Sequence, residues 1–136
     1  MTRPLFLRLL LIDTLFGCAL AAGAIAYRGS VHPVAAVAVG VVLAAFTAGA
    51  GLCLWLALNG QNGRLLNDVG HLAELLPGLA LMGTAAGFLI ALSGDPSQVQ
   101  HRIAGAATGI VSTFIGVAAW LVLSAQHRLL ARRDEP

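Results

Sequence analysis

The side chains best placed to do chemistry are four hydroxyls, Thr84, Thr108, Ser112 and Thr113, and two carboxylates, Asp13 and Glu74, all inside long apolar runs. A hydroxyl donates and accepts hydrogen bonds but does not titrate near neutral pH. It can hold water or pass a hydrogen bond to a carboxylate, but it is a poor proton carrier by itself. The plain structural alternative for each hydroxyl is a bond back to the i−4 carbonyl of its own helix. A carboxylate does titrate, and an Asp at mid-bilayer costs roughly 2.5–3.5 kcal/mol, less near the interface. Asp13 and Glu74 fall about two helical turns or less inside the ends of their runs, Asp13 the deeper. Each is either a wet, inward-facing polar group or a side chain that snorkels or pairs at the membrane edge. Arg8 precedes Asp13 by five residues, which is not a same-face spacing on a helix.

The remaining reactive residues form no pattern. Cys18 and Cys53 stand alone in apolar surroundings and read as small packing residues. His32, His71, His101 and His127 fall at run ends or in connectors and read as interfacial or solvated. There is no Ser/His/Asp set, no phosphate-binding loop and no metal-ligand spacing. The chain reads as a non-enzyme with no metal and no cofactor.

These side chains must be positioned by membrane-spanning helices. Of 136 residues, 58% are hydrophobic and 10% charged, where a soluble domain carries about a quarter charged residues. Mean hydropathy is +0.85. A span needs about 20 apolar residues, and four stretches qualify: Leu5–Tyr27, Val34–Leu58, Leu72–Ser93 and Ile103–Ala125. The connectors RGSVHP, NGQNGRLLNDVGH and GDPSQVQHR are short and rich in turn formers. Arg3 and Arg8 before an apolar core look like a signal peptide, but the run continues to Tyr27 and three more follow, so a retained first span is expected. Residues 126–136 form a polar tail that continues the last helix out of the bilayer. The whole is one all-α transmembrane unit of four helices, with no case for nucleic-acid binding at a net charge of +2.

Every basic residue is arginine, and the distribution of arginines sets the expected orientation. With both termini inside, the inner face holds Arg3, Arg8, Arg64, Arg128, Arg132 and Arg133, and the outer face only Arg28 and Arg102. Tyr27 and Trp55 sit near span ends; Trp120 is deeper and is expected to pack against another helix.

The fourth span has two unlike sides. At about 100° per residue, Gly105, Thr108, Gly109, Ser112, Thr113, Gly116 and Ala119 fall within an arc of about 140°. Ile110, Phe114, Val117 and Leu121 cluster opposite. Lipid prefers the bulky side, so the small side must meet protein or a pore. The third span repeats this more weakly, with Gly83 and Gly87 as a GxxxG pair and Thr84 on one face with Pro77 and Gly87. Plain helix packing through small residues is the alternative reading of both faces.

Spans three and four resemble the membrane core of the MotA/TolQ/ExbB proton-channel family. That family has a Pro followed by a G-[LI]-[LI]-G-T-x-x-G stretch; here Pro77 is followed by Gly83, Thr84 and Gly87. Its next pore helix carries G-x-x-x-A-[LF]-x-[AT]-T-x-x-G-[LV]; here Gly105, Gly109, Thr113, Gly116 and Val117 take those places. The connector GDPSQVQHR is similar to those of flagellar stator subunits, as is the four-span, N-in/C-in arrangement. The resemblance covers Glu74–Leu130. The chain departs from stators in the short segment NGQNGRLLNDVGH, where they carry a large cytoplasmic region, and in Ala80, where a glycine is common.

The resemblance implies a subunit of a proton-driven channel or motor in a bacterial inner membrane. Copies would form a ring, pentameric in this family, around the helices of a single-span MotB/TolR/ExbD-like partner with an intramembrane Asp. Thr84 and Thr113 match the hydroxyls that the ring places beside that carboxylate, and Ser112 and Thr108 lie on the same side. Pro77, Gly83, Gly87, Gly105, Gly109 and Gly116 are the helix-packing positions. Two other readings of the small faces stand beside it: a holin-like pore that self-assembles without a partner, and a structural or accessory subunit of a membrane complex.

Overall fold

The computed structural model describes residues 2–26, 33–60, 62–93, 95 and 97–132. Tyr27, Arg28, His32, Arg133 and the tail beyond it lie outside the described residues. Four helices follow one another: α1 (Thr2–Ala26), α2 (Pro33–Asn59), α3 (Gly63–Ser93) and α4 (Val99–Ala131). Among the described residues there is no strand. Each helix contains a stretch long and apolar enough to cross a membrane. The chain is a multi-pass membrane protein of the all-α class.

The helix boundaries follow from local chemistry. Pro33 opens α2, where its missing N–H would have had no helical partner anyway. Gly60 ends α2 with φ at +89°, a left-handed conformation that needs no Cβ. Its N–H donates to the Leu56 carbonyl at 3.1 Å. Asn62 then caps α3, its side-chain oxygen accepting from the Arg64 N–H at 3.1 Å. Before α4, the Asp95 carboxylate accepts from the Ser97 N–H at 3.2 Å, which closes a tight turn. Pro77 lies inside α3 and leaves the Ala73 carbonyl without its i+4 donor, yet the helix continues to Ser93.

Helices α3 and α4 outrun the expected spans. At about 1.5 Å per residue, 31 and 33 residues exceed a hydrocarbon core of about 30 Å. Most of the surplus lies at one end of the bundle, where α3 starts at Gly63 rather than Leu72 and α4 runs past Ala125 to Ala131; at the other end α4 begins at Val99 rather than Ile103.

The closest contact is between α3 and α4, which run antiparallel. Successive levels pair Ala91 with Gly105, Gly87 with Gly109, Ala80 with Gly116 and Gly70 with His127. Helix α2 packs across both, with Gly49 against Leu123 and Ala38 beside Gly83. Helix α1 packs mainly on α2, where Phe16 and Phe46 meet with ring centroids 4.8 Å apart, and touches α4 near the end that carries the termini. Toward that end the helices diverge and Leu9, Leu56, Val69, Leu76, Leu123 and Leu130 fill the space. The outer surface is apolar, with Leu81, Leu89, Leu92 and Phe114 exposed, as a lipid-facing surface should be. Trp120, expected to pack against another helix, keeps 37% of its surface exposed. It stands two turns beyond Thr113 on the open edge of α4's small arc, rather than in its middle.

Candidate functional site

The two unlike sides of α4 are resolved by its contact with α3. Gly87, Gly105 and Gly109 bring the two backbones together. A Cβ on Gly87 would collide with the Gly109 backbone nitrogen and lie 2.6 Å from the Gly105 carbonyl oxygen. A Cβ on Gly105 would lie 2.5 Å from the Ala91 nitrogen. Such glycines allow approach where lipid offers no hydrophobic push between helices. Gly83 makes room for Ser112, whose Cβ and Oγ would each be 2.7 Å from an added Cβ. Gly116 accommodates Ala80, whose Cβ occupies the space that a Cβ on Gly116 would need. The departure at Ala80 is therefore matched across the interface by a glycine.

This packing separates the four hydroxyls. Thr108 and Ser112 are buried in the bundle and donate to carbonyls of their own helix, Thr108 to Ala104 at 2.8 Å and Ser112 to Gly109 at 3.0 Å. Thr113 faces outward and Thr84 is half-buried. Their hydroxyls hydrogen-bond to each other across the two helices. Thr84 Oγ1 also lies 3.0 Å from the Ala80 carbonyl and 3.3 Å from the Gly109 carbonyl. Thr113 Oγ1 lies 2.9 Å from that same Gly109 carbonyl.

Two hydroxyl protons thus have four acceptor oxygens within reach: the Ala80 and Gly109 carbonyls and the two hydroxyls themselves. Each hydroxyl has one proton and two lone pairs. With Thr113 donating to Gly109, Thr84 donates to Thr113; with Thr84 donating to Ala80, Thr113 donates to Thr84. With either hydroxyl rotated away from its carbonyl, the pair offers a proton instead. The pair can accept from a protonated carboxyl and donate to an ionised one without changing its own charge.

The pair lies at an open groove on the outer surface of the α3–α4 hairpin, with a volume of about 190 Å³. Thr84, Gly109 and Thr113 line its floor and Phe88, Ile110 and Phe114 its walls, and almost all of the surface they expose to it is apolar. The walls are lipid-like and largely exposed. An apolar helix or a lipid chain would match this lining.

The carboxylates diverge. Glu74 points away from the bundle, with its carboxylate 3.8 Å from His71 Nδ1 and both side chains largely exposed. Asp13 points inward and accepts from the side-chain amide of Gln126 at 2.5 Å. Gln126 is fully buried. Asp13 Oδ2 and Gln126 Oε1 are both buried without a partner. Pro77 is half-buried, two turns from Thr84. Cys53 packs in the core and Cys18 lies on the outer face of α1. No group of three or more His, Cys, Asp or Glu side chains gathers among the described residues.

Gln126 is the residue that sequence reasoning missed. Its signal was present: 105, 112, 119 and 126 are successive steps of seven along one helical stripe. The buried arc of α4 continues through Gln126 to Leu130. Ending the span at Ala125 had put Gln126 in the tail. The groove walls were also not legible, because Ile110 and Phe114 belong to the bulky side of α4 and take part only at its edge.

No protein-family model, curated protein or solved structure matches the chain.

Proposed function

We propose that the chain is a subunit of a proton-driven channel or motor complex. In this reading, copies surround a single-span partner, and the Thr84–Thr113 face of each lines the proton path. The observation that carries it is the hydroxyl pair at the open groove. Two hydroxyls from different helices meet at a groove that is open to a further helix. The apolar walls match such a helix, and a hydroxyl turned from its internal partner would give its carboxyl a neutral hydrogen-bond partner. The partner provides the titrating group, because Thr84 and Thr113 do not titrate. The arginine distribution supports both termini on the cytoplasmic side, and the membrane is then the bacterial inner one.

A second reading, an accessory subunit whose small faces serve packing alone, is favoured by one observation. All four hydroxyls lie within hydrogen-bonding reach of carbonyls on their own helices.

Photo-crosslinking from the groove separates the two. A photoreactive phenylalanine analogue at position 114 is expected to capture a single-span protein with one intramembrane Asp, identified by mass spectrometry. The same analogue at Leu81, exposed elsewhere on α3, is expected to give lipid adducts. Lipid adducts alone from position 114 contradict the channel reading.

A further inference from the structure

The Asp13–Gln126 pair is unlike any other polar contact in the bundle. It joins α1 to α4, both side chains come from apolar surroundings, and one oxygen on each partner is buried and unsatisfied. Both orphaned atoms are acceptors. An ionised carboxylate has no donor to offer, and the amide already uses one N–H on Asp13 Oδ1. Buried acceptors without partners are costly, each by the desolvation of the group. What the pair lacks is therefore a single donor.

A proton supplies that donor. A carboxylic acid and a primary amide are matched donor for acceptor: the amide N–H bonds one carboxyl oxygen while the acid O–H bonds the amide oxygen. The first of these bonds is present. Adding one proton to Oδ2 gives the second its donor and leaves the pair neutral. Among the described residues no arginine or histidine is within ion-pair distance of Asp13, and Arg8 on the same helix is exposed. On α2, the buried titratable side chain is the Cys53 thiol. From α4, the facing group is the Gln126 amide.

We infer that Asp13 and Gln126 form a proton-binding site inside the bundle, in which Asp13 takes up and releases the proton and Gln126 positions it. The step is the addition of one H+ from water to a carboxylate, giving a neutral carboxyl, and its reverse. This site belongs to the chain alone. It does not require a ring or a partner, and it lies on the α1 side of α4 rather than at the Thr84–Thr113 groove.

Infrared difference spectroscopy of the full chain in lipid, acid minus alkaline, tests it. The wild type is expected to show the C=O stretching band of a hydrogen-bonded carboxylic acid. That band should be lost in Asp13→Asn and shift to higher frequency in Gln126→Leu, where the acid has lost its amide partner. Asp13→Asn puts an N–H donor where the acid O–H would be, so the α1–α4 link is kept. If Gln126→Leu does not fold, isotope-labelled aspartate in the wild type serves instead: the label should shift the band, and its hydrogen should exchange more slowly than those of exposed Asp68 and Asp95. Identical spectra for wild type and Asp13→Asn overturn the inference. So does a band unmoved in Gln126→Leu, a label band that exchanges like the exposed ones, or a band removed by sodium at fixed pH.

Discussion

Gly87→Leu is expected to unfold the α3–α4 hairpin more readily than any other single change at a small residue in α3. The added side chain would begin on the backbone of Gly109 and beside the carbonyl of Gly105. Neither can rotate aside as a side chain could, so the helices must separate along their closest approach. Overpacking costs about 1–3 kcal/mol and occasionally more, and roughly 3 kcal/mol is expected here because the obstruction is main chain on both sides. Unfolding by denaturing detergent in mixed micelles would measure it. Gly78→Ala is the control. A Cβ there meets nothing within 4 Å, and alanine gains about 1 kcal/mol of helix propensity over glycine, so that variant should be neutral or slightly more stable. Equal losses at the two positions would mean that the backbones do not touch where Gly87 and Gly109 place them.

Thr113→Val is expected to remove proton-driven activity while leaving the fold and assembly unchanged. Valine keeps the shape and loses the hydroxyl. Thr113 faces outward, and Thr84 retains the Ala80 carbonyl at 3.0 Å, so no buried partner is orphaned. The stability cost should therefore stay under about 1 kcal/mol. Proton flux in reconstituted vesicles with the partner present should fall at least about tenfold, the equivalent of ~1.4 kcal/mol. Thr113→Ser should restore much of it, since serine returns the hydroxyl without the methyl. Undiminished flux in Thr113→Val would make the hydroxyl pair a packing feature and favour the accessory reading.

Much of the fold was legible because membrane helices declare themselves by length and apolarity. The four apolar runs became the four helices, and the small arc of α4 became its buried face. The GxxxG pair in α3 was legible as a packing surface, since spacing alone puts Gly83 and Gly87 on one side. What could not be read was which hydroxyls the packing would bury. Thr108, Ser112 and Thr113 share one arc, and only the position of α3 separates the buried Ser112 from the outward Thr113. The fate of the carboxylates was hidden for the same reason. Asp13 and Glu74 look alike in sequence, but Asp13 meets Gln126 across 113 positions of chain while Glu74 turns outward. Register between distant helices is a tertiary property that no single helical pattern encodes. The stretch PGLALMGTAAG shows both sides of this. Its glycines differ in kind: Gly78 meets nothing, Gly83 admits a serine side chain, and Gly87 touches backbone.

The central claim is that the outward hydroxyl face surrounds foreign helices. Imaging the assembly extracted from native membranes into lipid nanodiscs tests it most directly, because it counts the copies and shows what lies against Thr84 and Thr113. The result expected from the proposed function is a closed ring of this chain enclosing single-span helices with a carboxyl facing the hydroxyl pairs. A monomer, or a ring whose centre holds only lipid, would contradict it.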